Sequence, residues 1–118
     1  NKVEDFGIGF FTKYGDGGVD ISPIGDLFKS EVYTMAQNLG VISEIINAPP
    51  TDGLWNDGRT DEDQIGVSYD DLEWAMNYTG QDNISDIKKN ILNIYKKHRK
   101  LNFHKMTKIP VFKKNNNE

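Results

Sequence analysis

Apolar residues recur at three- and four-residue intervals through Phe28, Val32, Met35, Ala36 and Leu39, a stripe that predicts an amphipathic helix entered from Pro23 and ended by Gly40. Thr60 with Asp63, and Ser68 with Asp71, each set a hydroxyl three positions ahead of a carboxylate. Two further helices should begin at those points, their acids facing the positive end of the helix dipole. The second is expected to bury Leu72, Ala75 and Met76 and to stop at Gly80. Ser85 then caps a longer helix with Ile87, Ile91, Ile94 and Tyr95 on one face and a basic last turn at 96–100.

The intervening segments read differently. Residues 6–18 are dense in glycine and aromatics, which suits backbone passing close to a ligand or another strand better than a regular element. Asp16-Gly17-Gly18 signals a turn, and Val19-Asp20-Ile21 alternates like a short strand whose sheet partners would have to lie upstream. After an apolar turn at Val41, Ile45 and Ile46, residues 47–58 carry two prolines, two glycines and four Asn or Asp, predicting a long mobile loop. Ile109-Pro110-Val111-Phe112 is expected to dock on the body of a domain spanning 1–112, before a flexible tail at 113–118. No internal repeat is visible.

Composition narrows the class. At 118 residues, 36% hydrophobic and 11% aromatic, the chain suits one globular domain or part of a larger one, not a disordered polymer. Without cysteine it has no disulfide or thiolate metal site, and His98 and His104 sit among lysines, so a zinc centre is not expected. No apolar run approaches the ~20 residues of a membrane span, and no signal peptide opens the chain, consistent with a cytoplasmic protein. A polar start without initiator methionine predicts a segment of something longer. The net charge of -4 argues against nucleic acid as a partner. Carboxylates crowd the middle and lysines the end, a polarity that usually gives solvated faces and sometimes an anion site.

Residues 15–18 alone could be a surface turn, yet Lys13, Asp16 and Asp20 around a flexible glycine backbone can also accept a phosphate, a metal or a ribose hydroxyl. Spacing does not choose among these. The succession does: Asn1-Lys2-x-Glu4, then Gly9-Phe10-Phe11-Thr12-Lys13-Tyr14-Gly15-Asp16-Gly17-Gly18-Val19-Asp20-Ile21-x-Pro23-Ile24, then Lys29, Pro49-Pro50-Thr51 and Ser68-Tyr69-Asp70. This resembles the carboxyl-terminal half of the ammonia-dependent NAD synthetases, including those fed by a glutaminase domain, over all but the generic stretch 80–100.

The resemblance implies a helix-rich part of an α/β, adenine nucleotide α-hydrolase-like (Rossmann-like) domain whose first half holds a Ser-Gly-Gly-x-Asp-Ser phosphate loop. Such an enzyme is a ligase of NAD biosynthesis. The nicotinate carboxylate of deamido-NAD attacks the α-phosphorus of ATP, and ammonia then displaces AMP from the acyl adenylate. On this resemblance Glu4 is the magnesium ligand, with Asp5 a rival because one extra residue separates Glu4 from Gly9. Lys29 and Thr51 match ATP-binding positions. Lys13, Asp20, His104 and Lys105 match positions touching deamido-NAD bound mainly to the other subunit of a homodimer. Asp16 and Glu62 are candidates for holding ammonium and taking its proton. Trp74 is expected to be partial core, with Trp55 open as a stacking surface. The segment alone should be inactive. Rival readings are another ATP pyrophosphatase amidating a different substrate, and a non-catalytic dimerisation domain.

Overall fold

The computed structural model describes residues 1–80 and 83–114. Six α-helices follow in order: α1 (Val3–Ile8), α2 (Lys29–Asn38), α3 (Ser43–Ile46), α4 (Asp61–Ile65), α5 (Tyr69–Asn77) and α6 (Asp86–Leu101), with a 3₁₀ turn at Phe103–Lys105. The caps read from sequence are in place. Thr60 and Ser68 accept from the backbone N–H groups of Asp63 and Asp71, and Ser85 accepts from that of Lys88. In α2, Glu31 reaches back to the Phe28 N–H at 2.8 Å, so the helix begins at Lys29 and leaves residues 23–26 as a turn. Gly40, at φ 72°, follows its end.

α1, α5 and α6 pack on one another around two small buried clusters. Ile8, Ile65, Tyr69 and Leu72 form one, and Ala75, Ile91 and Leu92 the other. Half-buried Val67 and Tyr95 touch both clusters and join them. The longest dimension is 64 Å, and Leu39, Ile42 and Ile45 on and beside α2 and α3 stand exposed.

Several expectations are corrected. Val19 and Ile21 are exposed and no strand occurs among the described residues, because a three-residue alternation without partners has no ladder to join. The described part of the chain is therefore helical, and the α/β character expected of the whole is not displayed here. The glycine-rich stretch opens within a helix after all: α1 contains Gly7, and Gly9 at φ 71° ends it. α5 stops at Asn77, three residues before Gly80. In α6, Ile87 is 74% exposed and Leu92 takes its place in the core. Ile109, Val111 and Phe112 are exposed instead of docked. Residues 47–58 are irregular, as expected. Trp74 is half-buried, 5.3 Å ring to ring from Tyr78 and 4.2 Å from the Lys88 ammonium, whereas Trp55 is exposed beside Arg59. The last four residues of the expected tail lie outside the described residues.

Gly9 is the tightest backbone position. Its φ is one that side chains resist, and an added Cβ would collide with the side chain of Asn102. Gly9→Ala should therefore lower stability by about 2–4 kcal/mol, read as a shift in urea denaturation. A change within experimental error would show that the α1–α6 junction yields without cost.

Candidate functional site

The carbonyl end of α1 is met by side chains from the far end of the chain. Arg99 donates to Gly7 O at 2.9 Å, Asn102 to Ile8 O at 3.0 Å, and the Lys105 ammonium to Gly9 O and Phe11 O at 3.0 and 2.8 Å. In the return direction, Lys13 Nζ donates to His104 O at 2.8 Å. Helix-end carbonyls lack intrahelical donors, so these groups supply what the helix cannot. The Thr12 and Gly17 backbones then fold against this anchor. Asp16 Oδ1 accepts the Thr12 N–H at 2.7 Å, and a Cβ on Gly17 would lie 2.5 Å from the Phe11 ring. That bend faces α2 across a cavity of about 720 Å³ whose walls include Lys2, Asp5, Asp16, Lys29, Asp61 and Lys105.

On the other wall the charges are held by a phenol. Tyr69, 3% exposed, donates its hydroxyl to Asp61 Oδ2 at 3.0 Å and stands 3.4 Å from Asp5 Oδ1. Asp5 Oδ2 accepts both the backbone N–H and the ammonium of Lys2 at 2.8 Å. Burial, then the two carboxylates, drive the Tyr69 hydroxyl far above its ordinary pKa, so it remains a donor. Glu4 is wholly buried. Its Oε1 accepts the Lys29 N–H at the start of α2 at 2.8 Å, and its Oε2 is buried without a partner among the described residues. Asp61 Oδ1 is likewise orphaned. The Lys29 ammonium makes no hydrogen bond or ion pair among the described residues. Burial and then Lys2 push its pKa below the ordinary 10.5, while Asp61, Asp5 and Glu4 pull upward.

Of the residues singled out from sequence, Asp16, Lys29 and Lys105 share the cavity wall, together with the rival Asp5. Glu4 lies behind that wall, joined to it through the Lys29 backbone. Thr51 is exposed, and its hydroxyl accepts from Gly53 N–H at 3.1 Å and donates to Arg59 O at 3.4 Å; the neighbouring Asp52 and Leu54 carry this loop to the cavity. Glu62 is not among the lining residues, and its Oε1 accepts the Tyr69 N–H at 2.9 Å, which separates it from Asp16. Asp20 and His104 are exposed and away from the cavity. Among the described residues no group of three His, Cys, Asp or Glu could hold a metal, and no helix is long and apolar enough to cross a membrane.

Residues 1–116 match the sequence model of the NAD synthase family. The chain belongs to this family. An NH(3)-dependent NAD(+) synthetase of Methanococcoides burtonii is 56% identical over 76 residues, 64% of this chain and 28% of that protein. One of Mesoplasma florum is 40% identical over 96 residues, 81% of this chain and 38% of that protein. Among solved structures, the NMN synthetase of Francisella tularensis superposes with a TM-score of 0.76 at 30% identity, covering 94% of this chain and 44% of that one. This chain thus spans between about a quarter and two-fifths of the curated relatives it matches. The likeness to the NMN synthetase supports an adenine nucleotide α-hydrolase-like fold for the NAD synthase family member described here.

Sequence reasoning missed Asp61, gave the landmark residues Lys2 and Tyr69 no role, and read the basic end of α6 as complementing only that helix's own dipole. Arg99 and Asn102 instead serve α1, more than 90 residues away in sequence. No local pattern announces such a pairing. Tyr69 and Asp61 carried one signal, a Tyr following the Ser68 cap and an acid following the Thr60 cap, which place both at the first turns of α4 and α5.

Glu4 generates a pH prediction. Burial, outweighing the Lys29 N–H, pushes its carboxyl up from the ordinary 4.5. The folded state then holds the proton more tightly than the unfolded chain, a stabilisation present at low pH and lost as pH rises through the elevated value. Glu4→Gln has no such proton, so its stability relative to the natural chain should increase as pH rises above 4.5 in urea titrations. A pH-independent difference would mean that this carboxyl does not titrate in that range.

Proposed function

We propose that the complete protein carrying this chain amidates deamido-NAD to NAD, using ATP and ammonia, releasing AMP and pyrophosphate, and working as a cytoplasmic homodimer. The observation that carries the reading is the Lys29 ammonium, set in the wall of a charged cavity with no anion paired to it among the described residues. Family membership supplies the rest of the support.

The reaction brings together two anions, a carboxylate and a triphosphate, so most of the barrier is a matter of charge stabilisation and alignment. Lys29 offers three N–H donors to the phosphates, and Thr51, on the loop beside the cavity, offers a hydroxyl. Asp16 keeps Oδ2 without a partner among the described residues, the right equipment to attract ammonium and take its proton before attack on the acyl adenylate. Glu62 is the second candidate for that role, through Oε2. Lys13, Asp20, His104 and Lys105 are assigned to the dinucleotide at the seam of two copies. Lys105 brings a positive charge there, though two carbonyls already engage its ammonium.

The orphaned Glu4 Oε2 fits a single-carboxylate contribution to Mg2+, an ion that takes one or two carboxylates and leaves its other positions to phosphate and water. Asp5 fits less well, since Lys2 and Tyr69 occupy both its oxygens. When bound, the ion would add positive charge to the departing pyrophosphate.

A second reading, in which the product is NMN, is favoured by the solved neighbour's name. Ammonia-dependent NAD(+) synthetases match at 40–56% identity against its 30%, so the dinucleotide is preferred. The complete protein supplied with ATP, ammonia and deamido-NAD should release AMP and pyrophosphate in step with NAD. Formation of ADP, or turnover only with the mononucleotide acid, would overturn the assignment. Lys29→Ala should weaken ATP about 10- to 100-fold, measured by isothermal titration, as expected for losing a charged hydrogen bond to phosphate.

A further inference from the structure

Lys29 is held without an ion-pair partner among the described residues. Its ammonium lies 4.7 Å from the centre of the Tyr33 ring and 5.7 Å from that of the Tyr69 ring. Tyr33 stands one helical turn along α2 and Tyr69 opens α5, so one ring comes from the lysine's own helix and the other from across the core. A ring face attracts a cation through its quadrupole and does so without accepting a conventional hydrogen bond. The three N–H donors therefore stay available toward the cavity, where an ion-paired lysine would have spent one or more of them on a carboxylate.

The neighbouring lysines show the contrast. Lys2, 4.6 Å from the Tyr69 ring centre, also gives its ammonium to Asp5 at 2.8 Å, and Lys105, 5.7 Å from that of Phe11, also gives its own to two carbonyls. Only Lys29 of the three has a ring contact and no oxygen partner among the described residues. Asp5 and Asp61, the carboxylates on the same wall, are meanwhile engaged by Tyr69, whose hydroxyl reaches both. Tyr69 is thus turned to both kinds of charge: its hydroxyl holds the acids, and its ring lies 4.6 Å from the Lys2 ammonium and 5.7 Å from that of Lys29. We propose that Tyr33 and Tyr69 are positioning residues that cradle the Lys29 ammonium between aromatic faces, keeping it charged and unpaired so that a nucleotide polyphosphate can take all of its donors.

This rests on the assignment of Lys29 to ATP, and the test separates the two. Tyr33 is half-buried and outside both core clusters, so Tyr33→Leu is the first variant, with Tyr69→Leu as the second. In the complete protein, Tyr33→Leu should raise the ATP KM about tenfold, with the loss concentrated in KM rather than kcat and thermal melting little changed. Tyr33→Phe, which keeps the ring, should restore the ATP KM to within about twofold of the natural protein. In a Lys29→Ala background, Tyr33→Leu should add less than about a twofold effect, since the group it positions is gone. An unchanged ATP KM in Tyr33→Leu and Tyr69→Leu, or an equal loss with and without Lys29, would overturn the cradle while leaving Lys29 in place. An unchanged ATP affinity in Lys29→Ala alone would overturn the assignment of Lys29 and the cradle with it.

Discussion

The structure depends on the junction between the last turn of α1 and the basic end of α6. α1 has six residues, one of them glycine, and a helix so short does not persist on its own propensity. What keeps it is external: its exposed carbonyls find donors in Arg99, Asn102 and Lys105, and Ile8 seals against Leu72 and Tyr69. Hydrogen bonds from charged donors to carbonyls that would otherwise be orphaned are among the stronger individual contributions available to a chain with a small core. Everything that gives the cavity its near wall, from Phe10 through Asp16, hangs from that junction.

From it follows a division of labour among the cations. The chain has a formal excess of acid, yet the cavity wall holds Lys2, Lys29 and Lys105. Two of these are engaged by protein oxygens and hold the architecture; the third keeps its donors open to the cavity. A lysine with free donors beside carboxylates is unstable against collapse into an ion pair unless something competes for both partners. The Tyr69 hydroxyl and the Lys2 ammonium engage Asp5 and one oxygen of Asp61, and the Tyr33 ring face, with the Tyr69 ring farther off at 5.7 Å, attracts the remaining cation.

Legibility in the sequence followed the range of the interaction. Thr60, Ser68 and Ser85 were readable as caps because a cap and its N–H lie three residues apart. The strand at Val19 to Ile21 was a misreading of three alternating residues that nothing pairs, and Ile87 was placed inward because spacing alone cannot tell which of two adjacent stripes on α6 meets α5. α1 and its clamp were invisible, since no pattern within six residues encodes a donor 90 positions away. At the site, motif resemblance singled out Asp16, Lys29 and Lys105, which do meet at the cavity. It passed over Tyr33 and gave Tyr69, part of the Ser68-Tyr69-Asp70 landmark, no role, since aromatic character reads as ordinary packing until the distance to an ammonium is known.

The clamp also sets an order of events. Its hydrogen bonds span 92 to 96 positions, so α1 is synthesised well before its partners and waits for them. Until Arg99 through Lys105 have left the ribosome, the carbonyls of Gly7, Ile8 and Gly9 have only water to accept from, and Ile8 lacks its cover. The glycine-rich bend is then assembled last, although it is translated among the first residues of the segment, and a nascent chain halted before residue 99 would display the motif without the shape.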